Sequence, residues 1–173
     1  MASYIAYPFG KLNQSCRMKD ADNATVYEAE LTKFHLFGAS EYTFRNKVAG
    51  TEEIHRIGKT VTKSSGPEGA ETVTESYFKI DGENVFDRLE EMGLRFRVIA
   101  KLDLMHPEFA LVGDGGNEIA RYKMNVRGER QEDVAAIGGK QRNTAIETES
   151  SDLATVFFGA FVLNRVDFSL FLI

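Results

Sequence analysis

Residues capable of chemistry are thinly spread along this chain, and their spacing decides what each group can do. Asp20-Ala21-Asp22-Asn23 opens like a calcium loop. Such a loop needs further oxygen ligands and a bidentate glutamate at its twelfth position, and that position, counted from Asp20, is Leu31. The cluster therefore reads as a polar hairpin tip. Gly113-Asp114-Gly115-Gly116-Asn117-Glu118 has the glycines of a phosphate cradle but no Gly-Lys-Ser/Thr ending. The residues after it have strand character, not that of a helix whose N-terminus could hold an anion. His35, His55 and His106 form no pair at the spacing of metal ligands, Cys16 stands alone, and no serine lies in a G-x-S-x-G elbow. No catalytic residue, metal site or cofactor is expected from these patterns.

One pattern is chemically suggestive. In Ala120-Arg121-Tyr122-Lys123-Met124-Asn125-Val126-Arg127 the alternation buries Ala120, Tyr122, Met124 and Val126. It exposes Arg121, Lys123, Asn125 and Arg127 in a row, with Arg130 just beyond. Such a row can hold a phosphate or a lipid head group. The same alternation also fits a solvated face, or an edge strand guarded by charge. Arg95, Arg97 and Lys101 form a similar row, lying either beside the first or against Glu28 and Glu30.

The bulk numbers narrow the setting. A chain of 173 residues is most economically one domain, residues 1–173, with room for a substantial core. Its 43% hydrophobic and 27% charged residues are ordinary for a globular protein. A net charge of −5 argues against nucleic acid as a partner. A single cysteine rules out an intramolecular disulfide and points to a reducing cytoplasm. The first ten residues lack a basic region followed by a long apolar run, so no signal peptide is expected.

The elements that must position these groups are mostly strands. Hairpins are expected around Asp20–Asn23, Asn46–Gly50 and Asp114–Asn117, with Asp81-Gly82 a further tip. Ile54 and Ile57 differ in parity, which predicts a bulge or an earlier strand end. Lys63 to Thr72 lacks periodicity and reads as a loop, and Ser76–Ile80 as one short strand. Turns are expected at Glu129–Asp133 and Gly138-Gly139, and a last strand at Gln141–Glu147. Asn84 to Met92 has an N-cap, apolar residues at helical spacing and Gly93 after the last turn, so a short helix is expected there. The final stretch, Leu153 to Arg165, is different. Its apolar residues point in every direction round a helix, which demands burial in protein or lipid. Asn164, Arg165 and Asp167 interrupt it before the roughly 20 apolar residues of a membrane span. A buried core helix is expected, with Val166–Ile173 leaving it as a short strand.

Taken in order, Arg17-Met18-Lys19-Asp20 with Val26-Tyr27, Phe78-Lys79-Ile80-Asp81-Gly82 and Leu111-Val112-Gly113-Asp114-Gly115-Gly116-Asn117-Glu118-Ile119-Ala120 resemble the strand–Asp-turn–strand units of the LURP-one-related proteins. Asp152-Leu153-Ala154-Thr155-Val156-Phe157-Phe158 resembles their terminal apolar helix. That group belongs with the tubby C-terminal domain and the phospholipid scramblases. The resemblance implies a mainly β fold, a closed antiparallel barrel of about twelve strands enclosing the C-terminal helix. Two departures matter. The short helix near 84–92 falls where the family has strand, and Ile146–Asp152 does not match the acidic calcium-associated segment of scramblases. Tubby proteins bind phosphoinositide head groups through basic side chains, but no run here permits position-by-position transfer.

The expectation is a non-enzymatic cytoplasmic interaction module, peripheral to a membrane where it binds anionic phospholipid through Arg121, Lys123, Arg127 and Arg130. An unidentified protein partner is also compatible. The alternatives are a small-ligand-binding barrel or an enzyme with no recognisable motif. Integral anchoring would require the last segment to enter lipid.

Overall fold

The computed structural model describes residues 1–66, 73–100, 106–126 and 143–166. Among them, thirteen strands and two α-helices succeed one another much as the turn residues anticipate. They are β1 Ala2–Phe9, β2 Ser15–Asp20, β3 Thr25–Lys33, β4 Ser40–Asn46, β5 Thr51–Ile57, β6 Val61–Ser65, β7 Val73–Tyr77, β8 Lys79–Ile80, β9 Glu83–Asn84, α1 Val85–Glu91, β10 Arg95–Ala100, β11 Glu108–Val112, β12 Glu118–Val126, β13 Asn143–Thr148 and α2 Leu153–Arg165. Eleven of the strands form one antiparallel sheet in the order β10-β11-β12-β13-β1-β2-β3-β4-β5-β8-β9, and β6 with β7 makes a separate hairpin. Among the described residues no pairing joins β9 to β10, so the ladder has two ends. In the chain α1 spans these ends, running from β9 to the residues just before β10.

The turns form for local reasons. Asp20 Oδ1 accepts from the backbone N–H of Asp22 and Ala24, both at 2.9 Å. Asn46 Oδ1 does the same for Val48 and Ala49. Asn84 caps α1 by accepting from Phe86 N–H at 2.9 Å. The helix ends at Gly93, whose φ of 72° suits glycine best, while Leu94 N–H reaches back to Leu89 O at 2.8 Å.

The core belongs to α2. Asp152 caps it, accepting from Thr155 N–H and Oγ1 at 3.2 and 2.7 Å. Val156, Phe157, Gly159, Ala160, Phe161, Val162 and Leu163 are all buried, which at 100° per residue covers every direction round the axis. The sheet curls about them. Tyr27 of β3 stacks on Phe157 with centroids 4.6 Å apart. Tyr42 and Phe44 of β4 meet Phe161 edge-on at 6.1 and 5.1 Å, as does Phe78, beside β8, at 5.9 Å. From the other side Tyr122 of β12 donates its hydroxyl to Val156 O at 2.8 Å. Gly159 is what permits that approach: a methyl group there would overlap the Tyr122 hydroxyl and lie 2.8 Å from Cζ.

Several expectations need correction. Lys63 to Ser65 is not loop but the end of β6, whose polar side chains alternate without an apolar face to reveal a strand. The register of β4 with β5 runs unbroken from Ser40↔Ile57 to Asn46↔Thr51, so there is no bulge. Ile54 instead faces solvent and Ile57 the core. Ser76–Ile80 is interrupted at Phe78, which leaves the strand to enter the core. β1 is a strand that no turn signal or alternation in the first ten residues announces. The turns foreseen at 129–133 and 138–139, and all but the first residue of the strand foreseen at 166–173, lie outside the described residues.

Gly159→Ala gains about 1 kcal/mol of helix propensity but must displace fully buried Tyr122, an overpacking cost of about 3 kcal/mol. A net loss of about 2 kcal/mol is expected, read as a lower urea midpoint at unchanged m-value. An unchanged or raised midpoint would show that Tyr122 does not clamp the helix.

Candidate functional site

The outward positions of β10 to β13 form a continuous face. The registers align Arg97, Ala110, Arg121 and Glu147 across four strands, and Lys123 stands opposite Glu108. The described parts of the two basic rows thus share one face, with β11 between them. Their charge is largely compensated, however. Arg121 pairs with Glu118, which raises its pKa, and Lys123 Nζ lies 3.6 Å from Glu108. Among the described residues of this face, Arg95, Arg97, Arg121 and Lys123 share it with Glu108, Glu118 and Glu147, four cations with three carboxylates. Arg127, Arg130 and Lys101 lie outside the described residues.

Glu28 and Glu30 serve other partners. Glu28, on the outer face of β3, is buried beneath three cations, with Arg17 at 3.2 Å and Arg45 and Lys47 each at 3.4 Å. Arg45 continues to Glu30 at 3.0 Å and Glu52 at 3.2 Å. Burial works to raise the Glu28 pKa, but Arg17 and Lys47 outweigh it and hold the carboxylate below its usual range. This network ties β2, β3, β4 and β5 together on the side away from α2.

A second basic surface comes from loops. The registers place the β1–β2 turn, the β3–β4 loop and the β5–β6 link at one end of the sheet, where α2 also finishes. Lys11, Lys33, Arg56 and Lys59 gather there, where Glu41 lies 3.7 Å from Lys33 and 3.8 Å from Arg56, and Asp81 accepts from Arg56 N–H at 2.8 Å while pairing with His55 and Arg88. Lys59 Nζ donates to Leu36 O at 2.7 Å and so fastens the β3–β4 loop. Beneath it Arg165 closes α2. Its guanidinium donates to Gln14 O at 3.0 Å and to Tyr42 Oη at 2.9 Å, and lies over the rings of Tyr42, Phe161 and Phe78. A cation in the last helical turn also opposes the helix dipole. A pocket of about 230 Å³ opens here, lined in part by Ser40, Tyr42, Lys59, Thr60, Asn164 and Arg165.

Groups suited to covalent or acid–base chemistry are committed elsewhere. Burial pushes the Cys16 thiol up to about 12, although nearby Arg165 pulls it the other way. His55 has both ring nitrogens against carboxylates, Nδ1 2.7 Å from Asp81 and Nε2 3.1 Å from Glu53. Among the described residues no three His, Cys, Asp or Glu side chains converge as metal ligands. A larger, half-open cleft of about 460 Å³ lies between α1 and β10, with Phe86, Leu89, Leu94, Phe96, Val98 and Phe109 as apolar lining. No helix among the described residues is long and apolar enough to cross a membrane.

Comparison with known proteins identifies no relative: no family model, curated protein or solved structure matches the chain. The loop-end cations were not anticipated, because Lys11, Lys33, Arg56 and Lys59 converge only through strand register.

Glu28→Gln leaves three cations over a buried neutral amide and is expected to cost roughly 2 kcal/mol at neutral pH. The folded Glu28 pKa lies below the ordinary value of 4.5, so its stabilisation is complete above that value and is lost as pH falls through the folded one. Thermal melts from pH 7 to pH 2 should show a shallower acid decline in the variant. Parallel curves would show that Glu28 does not hold the outer network together.

Proposed function

We propose that the protein is a non-enzymatic interaction module of the tubby-like barrel class, which docks on anionic membrane surfaces through its loop end. In this reading the eleven-stranded ladder closes round α2, with α1 bridging its ends. The observation that carries the proposal is the excess of positive charge at that end: among the described residues Lys11, Lys33, Arg56 and Lys59 stand against Glu41, while nearby Asp81 is already engaged by His55 and Arg88, in a chain of net charge −5. An anionic bilayer attracts such a patch with about 1 kcal/mol per basic residue near its surface. The described outer face of β12 has two cations, Arg121 and Lys123, each with a carboxylate partner, so its share of binding is smaller. Because α2 occupies the interior, a ligand is left to the exterior or the rim. The proposed setting is cytoplasmic and peripheral.

The apolar cleft between α1 and β10 favours a second reading, a small-ligand site. Its volume falls within the range of such pockets.

Co-sedimentation with vesicles of phosphatidylcholine, alone or in equal proportion with phosphatidylserine, tests the proposal. Binding to the anionic vesicles alone is expected, falling as salt rises. Lys11→Gln/Lys59→Gln should weaken it roughly 30-fold, at about 1 kcal/mol per charge, and Arg121→Gln/Lys123→Gln much less. The reverse order would move the contact to β12. No binding at low salt would end the lipid reading.

A further inference from the structure

The loop end also carries a dense group of exposed apolar side chains. The β3–β4 loop, between Lys33 and Ser40, presents Phe34, Leu36 and Phe37 at 49%, 61% and 90% exposure, and the adjoining β1–β2 turn presents Leu12 at 64%. A folded chain gains nothing from a phenylalanine left nine-tenths in water, and several such residues on neighbouring loop tips form a patch that asks for a partner. The backbone beneath is held: His35 N–H donates to Ser40 Oγ at 3.0 Å, Lys59 Nζ to Leu36 O at 2.7 Å, and Leu31 N–H to Ser15 Oγ at 2.9 Å. The prongs are presented on a tied loop.

We infer that Phe34, Leu36 and Phe37, with Leu12 beside them, insert below the head groups of an anionic bilayer while Lys11, Lys33 and Lys59 remain at head-group level. The inference rests on the lipid-surface reading above and assigns its orientation and mode: the molecule stands on its loop end, with the Arg165 end of α2 nearest the lipid. Charge selects this occupant over a protein groove. Lysines ring the apolar tips, their stems long enough to keep the ammonium groups in the head-group layer while the tips go deeper. At the opposite end the β4–β5 turn exposes Val48 at 69%, without a comparable neighbour in that turn.

The chain contains no tryptophan, so a single introduced one is an unambiguous reporter. Phe37→Trp places it on the proposed prong, and Val48→Trp places it at the far end. On mixed phosphatidylcholine–phosphatidylserine vesicles the Phe37→Trp emission should shift to the blue and be quenched by chain-brominated lipid, while Val48→Trp emission stays unchanged. Phe34→Ser/Leu36→Ser/Phe37→Ser, all surface changes expected to keep the thermal midpoint, should weaken vesicle binding by ~10-fold or more. The residual binding should be abolished by high salt. Vesicle binding with an unquenched Phe37→Trp reporter would overturn insertion and leave the electrostatic reading standing. Quenching of Val48→Trp instead would reverse the orientation, and absence of any binding at low salt would remove both.

Discussion

A helix with apolar side chains in every direction has no wet face, and the rest of this fold is arranged to supply what water cannot. Phe157 and Phe161 are met by aromatic rings from β3, β4 and the break before β8, and Val156 by the hydroxyl of Tyr122. One side needs bulk and the other needs room, which is why phenylalanines face Tyr27, Tyr42 and Phe44 while Gly159 faces Tyr122. The strands must therefore curl, because a flat sheet reaches only one side of a helix. Cations on the outer face, centred on Glu28, hold the strands on the side where no core can form.

Filling the interior with protein has a functional consequence. A curled sheet whose interior is occupied by side chains presents its loops, outer face and seams for binding. Of the surfaces described, the seam between α1 and β10 is apolar, the face of β10 to β13 nearly balances its charges, and the loop end combines excess positive charge with exposed phenylalanines. That last combination is the one a head-group layer over hydrocarbon matches on both counts. Arg165 links it to the core, since the same guanidinium closes α2 and braces Gln14 and Tyr42 under the loops.

Much of the architecture was legible in the residues because it depends on local chemistry. Asp20, Asn46, Asn84 and Asp152 each bind nearby backbone N–H groups, so turns and helix starts could be placed by reading a few positions. The bounds of α2 followed from the apolar run and the charge of Arg165. The features that escaped were set at long range. β6 has no apolar alternation and is a strand through pairing with β7. Ile54 and Ile57 demand a bulge only if both isoleucines face inward, and Ile54 faces solvent in an unbroken register. The candidate site was legible only in half: parity placed Arg121 and Lys123 outward, but Glu108 and Glu118 reach them through a neighbouring strand and a local return. Lys11, Lys33 and Lys59 meet only after the ladder is folded.

The central claim is that α2 is the core and not a membrane anchor, so that lipid contact belongs to the loops. Amide hydrogen exchange across Val156–Leu163, with and without anionic vesicles, tests it most directly. These amides are expected to exchange only through global unfolding, at the free energy found by denaturant titration, and to keep that protection on vesicles. Rapid exchange in solution, or protection that changes to a lipid-buried pattern when vesicles are added while the strands open, would contradict it.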